Sequence, residues 1–269
     1  MLTDITLGQY FPGKSPIHLL DPRTKILGVI TYISTIFLAE DYLAYAILTA
    51  FAAMAVAVSG IPMRMVLRSI KPLWIIILLT VAIHVFSTPG TVLYNLGPLT
   101  VTQEGSRMGI FMSLRLVLLI VVSSLLTFTT SPIALTDGIE RLLNPFRRLG
   151  VPAHELAMMM TIALRFIPTL LEEADRIMKA QMARGADFSS GSILKRAKNM
   201  VPLLVPLFIS AFRRADELAV AMEARCYRGG ENRTRMKELK MGAPDVMAAV
   251  ILMVLIAVLV TVRAYKLVI

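Results

Sequence analysis

Apolar residues in this chain are gathered into long runs, with charge confined to the segments between them. Runs over 26–39, 43–59, 73–87, 108–129 and 245–262 read as membrane helices, although several are shorter than the roughly 20 residues that cross a hydrocarbon core unaided. Flanking residues or burial against neighbours must complete them. Asp21 followed by Pro22 marks a helix start, because proline at the first helical position loses no hydrogen bond. Between the fourth and fifth runs the pattern changes. Ser131-Pro132 opens an amphipathic stretch with Ile139, Leu142, Leu143 and Phe146 on one side, which stops at Leu149-Gly150-Val151-Pro152. From His154 to Arg184, Leu156, Met160, Ala163, Ile167, Leu170, Ala174 and Ile177 recur at spacings of three and four, one stripe of a single helix. Such a helix is about 45 Å long, and Pro168 should kink it. A second stripe is formed by Val205, Phe208, Phe212, Ala215, Ala219, Met222 and Cys226, with Pro202 and Pro206 at its start. Both helices begin apolar and end charged, as if each leaves the bilayer for the cytoplasm.

The predicted fold class is therefore all-α, a polytopic membrane protein with about five transmembrane helices and long amphipathic helices besides. It divides into an N-terminal membrane bundle of four spans (1–130), a helical region (131–244) and a C-terminal membrane helix (245–269). Composition agrees: 56% of the 269 residues are hydrophobic and 17% charged, against about 25% charged in a soluble domain.

Loop charge orients the bundle. Lys14, Arg23 and Lys25 precede the first run, Arg64, Arg68 and Lys71 follow the second, and 131–244 is rich in Lys and Arg. The Glu40-Asp41 turn has no basic residue, and 88–107 holds only Arg107. Each loop agrees with a cytoplasmic N-terminus, a cytoplasmic 131–244 region and an external C-terminus. The N-terminus is polar and lacks the apolar core of a signal peptide, so the first span is expected to direct its own insertion. A formal charge of +10 suits an acidic partner or anionic lipid. Nucleic acid is excluded as a partner, because the basic residues flank membrane runs without a binding motif. Arg115 lies within the fourth run and is expected to face the bundle interior in a structural role, or else to serve coupling or substrate passage.

Little in the chain suggests catalysis. Gly8 to Ser15, GQYFPGKS, fits the phosphate-loop expression, yet no strand precedes it and Pro12 and Pro16 remove backbone donors that a phosphate needs. The single cysteine, Cys226, excludes a disulfide, and His18, His84 and His154 lack metal-ligand spacing. Met158, Met159 and Met160 read as packing residues. The chain is read as no enzyme, with no cofactor and no metal of its own.

Its most distinctive feature is a repeat. Glu173 to Gly185, EADRIMKAQMARG, and Arg214 to Cys226, RADELAVAMEARC, superpose at an offset of 41, and each closes on Ala-Arg and a small residue. A single such end is an ordinary helix cap. Two in register mark a docking function for Ala183, Arg184, Gly185, Ala224, Arg225 and Cys226, since arginine's planar fork binds carboxylates bidentately and keeps its charge. Ala174, Ala180, Ala215 and Ala221 are small enough to let the two helices cross closely.

Five segments carry a resemblance: Ser15 to Lys25, SPIHLLDPRTK; Leu125 to Pro132, LLTFTTSP; Ile162 to Leu171, IALRFIPTLL; Lys179 to Phe188, KAQMARGADF; and Phe212 to Gly229, FRRADELAVAMEARCYRG. In these the chain resembles the transmembrane T component of energy-coupling factor transporters, prokaryotic micronutrient importers of the ATP-binding-cassette class. The resemblance implies a scaffold in the cell membrane that joins two ABC-type ATPase subunits, which bind the ATP, to a substrate-binding S component for vitamin uptake. It further implies that the ends of two "coupling" helices sit in grooves on the ATPases, with Arg184 and Arg225 as anchors. ATP-driven motion then topples the substrate subunit within the bilayer. The alternative from the residues alone is a self-sufficient secondary transporter or channel.

Overall fold

The computed structural model describes residues 10–96, 99–188, 192–229 and 239–268. Its helices are α1 (Pro16–Leu19), α2 (Pro22–Leu38), α3 (Tyr42–Ser59), α4 (Met63–Ile70), α5 (Trp74–Ser87), α6 (Gln103–Thr129), α7 (Pro132–Leu143), α8 (Ala153–Ala183), α9 (Ile193–Ala224) and α10 (Ala243–Val268). The described residues form two compact units, one within 10–138 and 239–268, the other within 139–229.

In the first unit α2, α3, α6 and α10 enclose a core of Tyr32, Ile36, Tyr45, Leu48, Leu118, Val122, Leu255 and Leu259. Polar atoms within it are satisfied locally. The Tyr32 hydroxyl donates to the Leu48 carbonyl at 2.8 Å. Arg115 Nε donates to the Tyr45 hydroxyl at 3.1 Å, and its guanidinium lies 5.1 Å from the centre of the Phe37 ring. Arg115 thus faces α2 and α3, the inward direction expected of it.

Helix starts follow their caps. Asp21 Oδ1 accepts from Arg23 N–H at 2.9 Å at the head of α2, and the Thr102 hydroxyl accepts from Gly105 N–H at 3.1 Å at the head of α6. Asp245 joins two of these beginnings, accepting from the backbone N–H of both Asp21 and Gly242 at 2.8 Å. Lys25 closes the cluster by donating to the carbonyls of Thr129 (2.9 Å) and His18 (3.2 Å). In the phosphate-loop-like stretch, Gly8 and Gln9 lie outside the described residues. Its Ser15 caps α1, and its hydroxyl lies 2.7 Å from His18 Nδ1.

Among the described residues, five helical stretches are long and apolar enough to cross a membrane: Tyr42–Ser59, Met63–Ser87, Gln103–Thr129, Ala153–Ala183 and Ala243–Ala264. The all-α polytopic class is thus present, with three departures in detail. The run at 26–39 folds as α2, whose 17 residues reach only about 25 Å. Helix α8, expected to be an amphipathic cytoplasmic helix, qualifies instead, because Leu156–Met160 and Ile162–Leu164 make its first half predominantly apolar. The stretch 88–107, expected as a loop, contains a hairpin of β1 (Val92–Leu96) and β2 (Leu99–Thr102), paired Asn95↔Thr100. The return segment from Glu231 lies outside the described residues up to residue 238.

Candidate docking site at paired helix ends

The second unit is built on α8 and α9, which lie antiparallel. Gln181, near the end of α8, donates from Nε2 to the Pro202 carbonyl near the start of α9 at 3.4 Å. Met158, near the start of α8, lines the same cavity as Cys226 at the end of α9. The expectation that both helices leave the bilayer in the same direction is therefore corrected. Periodicity shows which face of a helix is buried but not its direction relative to a neighbour. Both helices run unbroken through their prolines: Pro168 lies inside α8, and Pro202 and Pro206 inside α9.

The 41-residue repeat is also a repeat of backbone geometry. Arg184 and Arg225 are both C-caps, at φ −88° ψ 8° and φ −91° ψ 13°. Each is followed by a left-handed residue, Gly185 at φ 89° and Cys226 at φ 54°. At the first end Gly185 N–H donates to Met182 and Ala186 N–H to Gln181. At the second, Cys226 N–H donates to Glu223 and Tyr227 N–H to Met222. Every donor and acceptor corresponds at the offset of 41, so both helices end in the same Schellman turn. All six expected docking residues, Ala183, Arg184, Gly185, Ala224, Arg225 and Cys226, are exposed.

Two equivalent helices lying antiparallel are related by a local two-fold axis, on which equivalent residues should meet. Glu173 and Arg214, equivalent by the repeat, pair at 3.7 Å, and the equivalent Leu170 and Ala211 line one cleft. The axis therefore passes beside these positions. Of the four alanines expected at the crossing, Ala174 is buried there. Ala215 sits in the wall of the same cleft but is exposed, and Ala180 and Ala221 are exposed further along. The antiparallel arrangement places Arg184 and Arg225 at opposite ends of the pair, separated by roughly 25 residues of helix, about 37 Å.

Each turn is then held to the other helix. Asn199 Nδ2 donates to the Asp187 carbonyl at 2.6 Å, just beyond the Arg184 end. Beyond the Arg225 end the Tyr227 hydroxyl lies 3.4 Å from His154 Nε2, while His154 Nδ1 donates to Glu140 Oε1 at 3.0 Å. A neutral His154 that donates through Nδ1 leaves Nε2 to accept from Tyr227. The cavity beside this end, about 570 Å³, is lined by Arg165 of α8 together with Arg225 and Arg228. This cationic group was not legible in the sequence, because its members meet only across the antiparallel pair. Among the described residues no cluster of His, Cys, Asp or Glu is placed to hold a metal.

Comparison with known proteins places this geometry. The family model described as Cobalt transport protein (CbiQ) matches residues 13–236. A protein of Acidaminococcus fermentans is 66% identical over 98% of both chains, and one of Clostridium kluyveri is 55% identical over 96% of both. A Bacillus subtilis protein is 49% identical over 98% of this chain and its own full length. All three are named energy-coupling factor transporter transmembrane protein EcfT. The chain belongs to this family. The paired ends thus belong to the transmembrane component of an energy-coupling factor transporter, and the repeat at 173–185 lies entirely within the residues that the family model covers.

Proposed function

We propose that this T component is the mechanical scaffold of a micronutrient importer, carrying the motion of two ATPase subunits to a substrate-binding membrane subunit. The observation that carries this reading is the pair of exposed arginine-capped ends with one backbone geometry, set about 37 Å apart by the antiparallel helices. Two equivalent tips about a local two-fold axis suit two related copies of a partner, one per tip, better than a single asymmetric one. A carboxylate-bearing groove on each ATPase would receive Arg184 or Arg225, and the tight turn after each arginine would hold the guanidinium at the point of contact.

Force arriving at the tips needs a stiff path. The Glu173–Arg214 pair and the buried Ala174 supply contact between the levers, and the two bonded turns keep each tip from fraying. Phe208, Ile209 and Phe212 stand exposed on α9, an apolar face suited to a membrane partner such as the substrate subunit. In this reading ATP is bound by the partners, the chain itself is not an enzyme, the N-terminus is cytoplasmic, and the α8–α9 pair lies along the cytoplasmic face instead of crossing the bilayer, so that both arginine tips are reached from that side.

The test is the double variant Arg184→Glu with Arg225→Glu, expressed with its partners. Co-purified ATPase and ATP-driven uptake should both fall to background while the variant still inserts in the membrane. Each single variant should lose one contact and retain partial co-purification. Full uptake by the double variant sinks the docking role.

A further inference from the structure

We infer that the bundle carries a phospholipid site in the groove between α3 and α6, with one acyl chain in the groove and the headgroup phosphate on Arg107. The groove, about 510 Å³, is opened by small residues on α3 (Ala46, Ala50 and Ala53) facing Ile110 and Leu114 of α6. Its floor is the stacked pair Tyr45 and Phe111, with ring centres 5.1 Å apart. Its lining is almost wholly apolar, and from Tyr42 to Ala53 it runs about 17 Å along α3. That matches the ~15 Å depth of one leaflet's hydrocarbon, half of the roughly 30 Å core. The groove thus has the chemistry and the length of a single acyl chain.

Its mouth has the matching charge. Tyr42, at the first position of α3, is placed where amphipathic rings meet headgroups. Arg107 lies over the rings of both Tyr42 (5.3 Å) and Phe111 (5.4 Å), so the guanidinium is positioned at the end of the groove while its edge stays exposed. Among the described residues no carboxylate is within ion-pair distance of Arg107, and Glu40, two positions before Tyr42 in the chain, is paired with Arg263 at 3.4 Å. Stacking satisfies the faces of a guanidinium but leaves its N–H donors to be used in the plane, where a phosphate accepts them bidentately. This site is independent of the docking ends and of the ATPase reading.

Native mass spectrometry of the detergent-solubilised full chain tests it, with dioleoyl phosphatidylglycerol as probe and dioleoylglycerol, the same chains without phosphate, as reference. The first phosphatidylglycerol should bind about tenfold tighter than dioleoylglycerol, the size of one charge-assisted contact. Arg107→Gln should erase that preference, and Arg107→Lys, which keeps the charge but loses the stacked planar fork, should keep only part of it. Ala50→Leu, which fills the groove, should weaken both lipids. Equal binding by the wild type and Arg107→Gln would mean only annular lipid and overturns the site. Loss in Arg107→Gln without loss in Ala50→Leu would place the lipid on the surface arginine alone, and also overturns it.

Discussion

Cys226 adopts a left-handed backbone at φ 54°, whereas its equivalent across the repeat is Gly185. A Cβ in that region is crowded by the following carbonyl, a cost that glycine avoids. Cys226→Gly should therefore stabilise the chain by about 0.5–1 kcal/mol, net of the entropy that glycine adds to the unfolded state. Thermal unfolding of the detergent-solubilised full chain measures it, and a lowered midpoint would mean that the cysteine side chain contributes more than the strain costs. Arg184 and Arg225 were readable from sequence because an Ala-Arg-small repeat needs no structure to be seen. The left-handed turn was readable only at Gly185, since cysteine seldom takes that conformation. The cavity that Arg225 shares with other arginines was not readable at all. Arg165 stands 60 positions earlier in the chain, and only the reversal of α9 against α8 brings the two into one cavity.

The helices show how far patterning reaches. Hydrophobic runs located α3, α5, α6 and α10, and three-four periodicity located α8 and α9, because burial of one face is written into residue spacing. Direction is not, so the antiparallel pairing and the exposure of Ala180 and Ala221 were beyond it. The hairpin was missed because strands of five and four residues are too short to show a period. The start of α6 carries a packing signal of its own. Gly105 and Gly109 form a GxxxG spacing at the start of α6, where α5 lies against the helix backbone. A Cβ added at Gly105 would come within 2.6 Å of the His84 carbonyl oxygen, while one at Gly109 would sit 3.4 Å from that of Val81. Gly105→Val should force α5 and α6 apart and cost about 2–3 kcal/mol, by the scale of overpacking in tight cores. Gly109→Ala should cost well under half of that. Thermal midpoints of the two variants test the ranking, and equal losses would mean that the helices do not depend on their closest approach.

At the scale of the molecule the orientation rests on loop charge, and Cys226 offers a direct measure of it. The thiol is exposed and is the chain's sole cysteine, so labelling needs no substitution. It lies next to Arg225, the residue assigned to dock. A membrane-impermeant maleimide should therefore label the full chain in inside-out vesicles but not in right-side-out vesicles, when the chain is expressed without its ATPases. The same thiol should become protected once the ATPases are co-expressed, because a docked guanidinium leaves the adjoining residue inside the contact. These two readouts separate the two halves of the argument. Labelling from the outer side would reverse the topology drawn from Arg64, Arg68, Lys71 and the basic 131–244 region, and would place the arginine tips out of reach of a cytoplasmic motor. Labelling from the inner side that persists with ATPase present would keep the topology and place the contact elsewhere on the unit. The full pattern, inner-side labelling that the ATPases suppress, is what two levers ending in exposed arginine turns require.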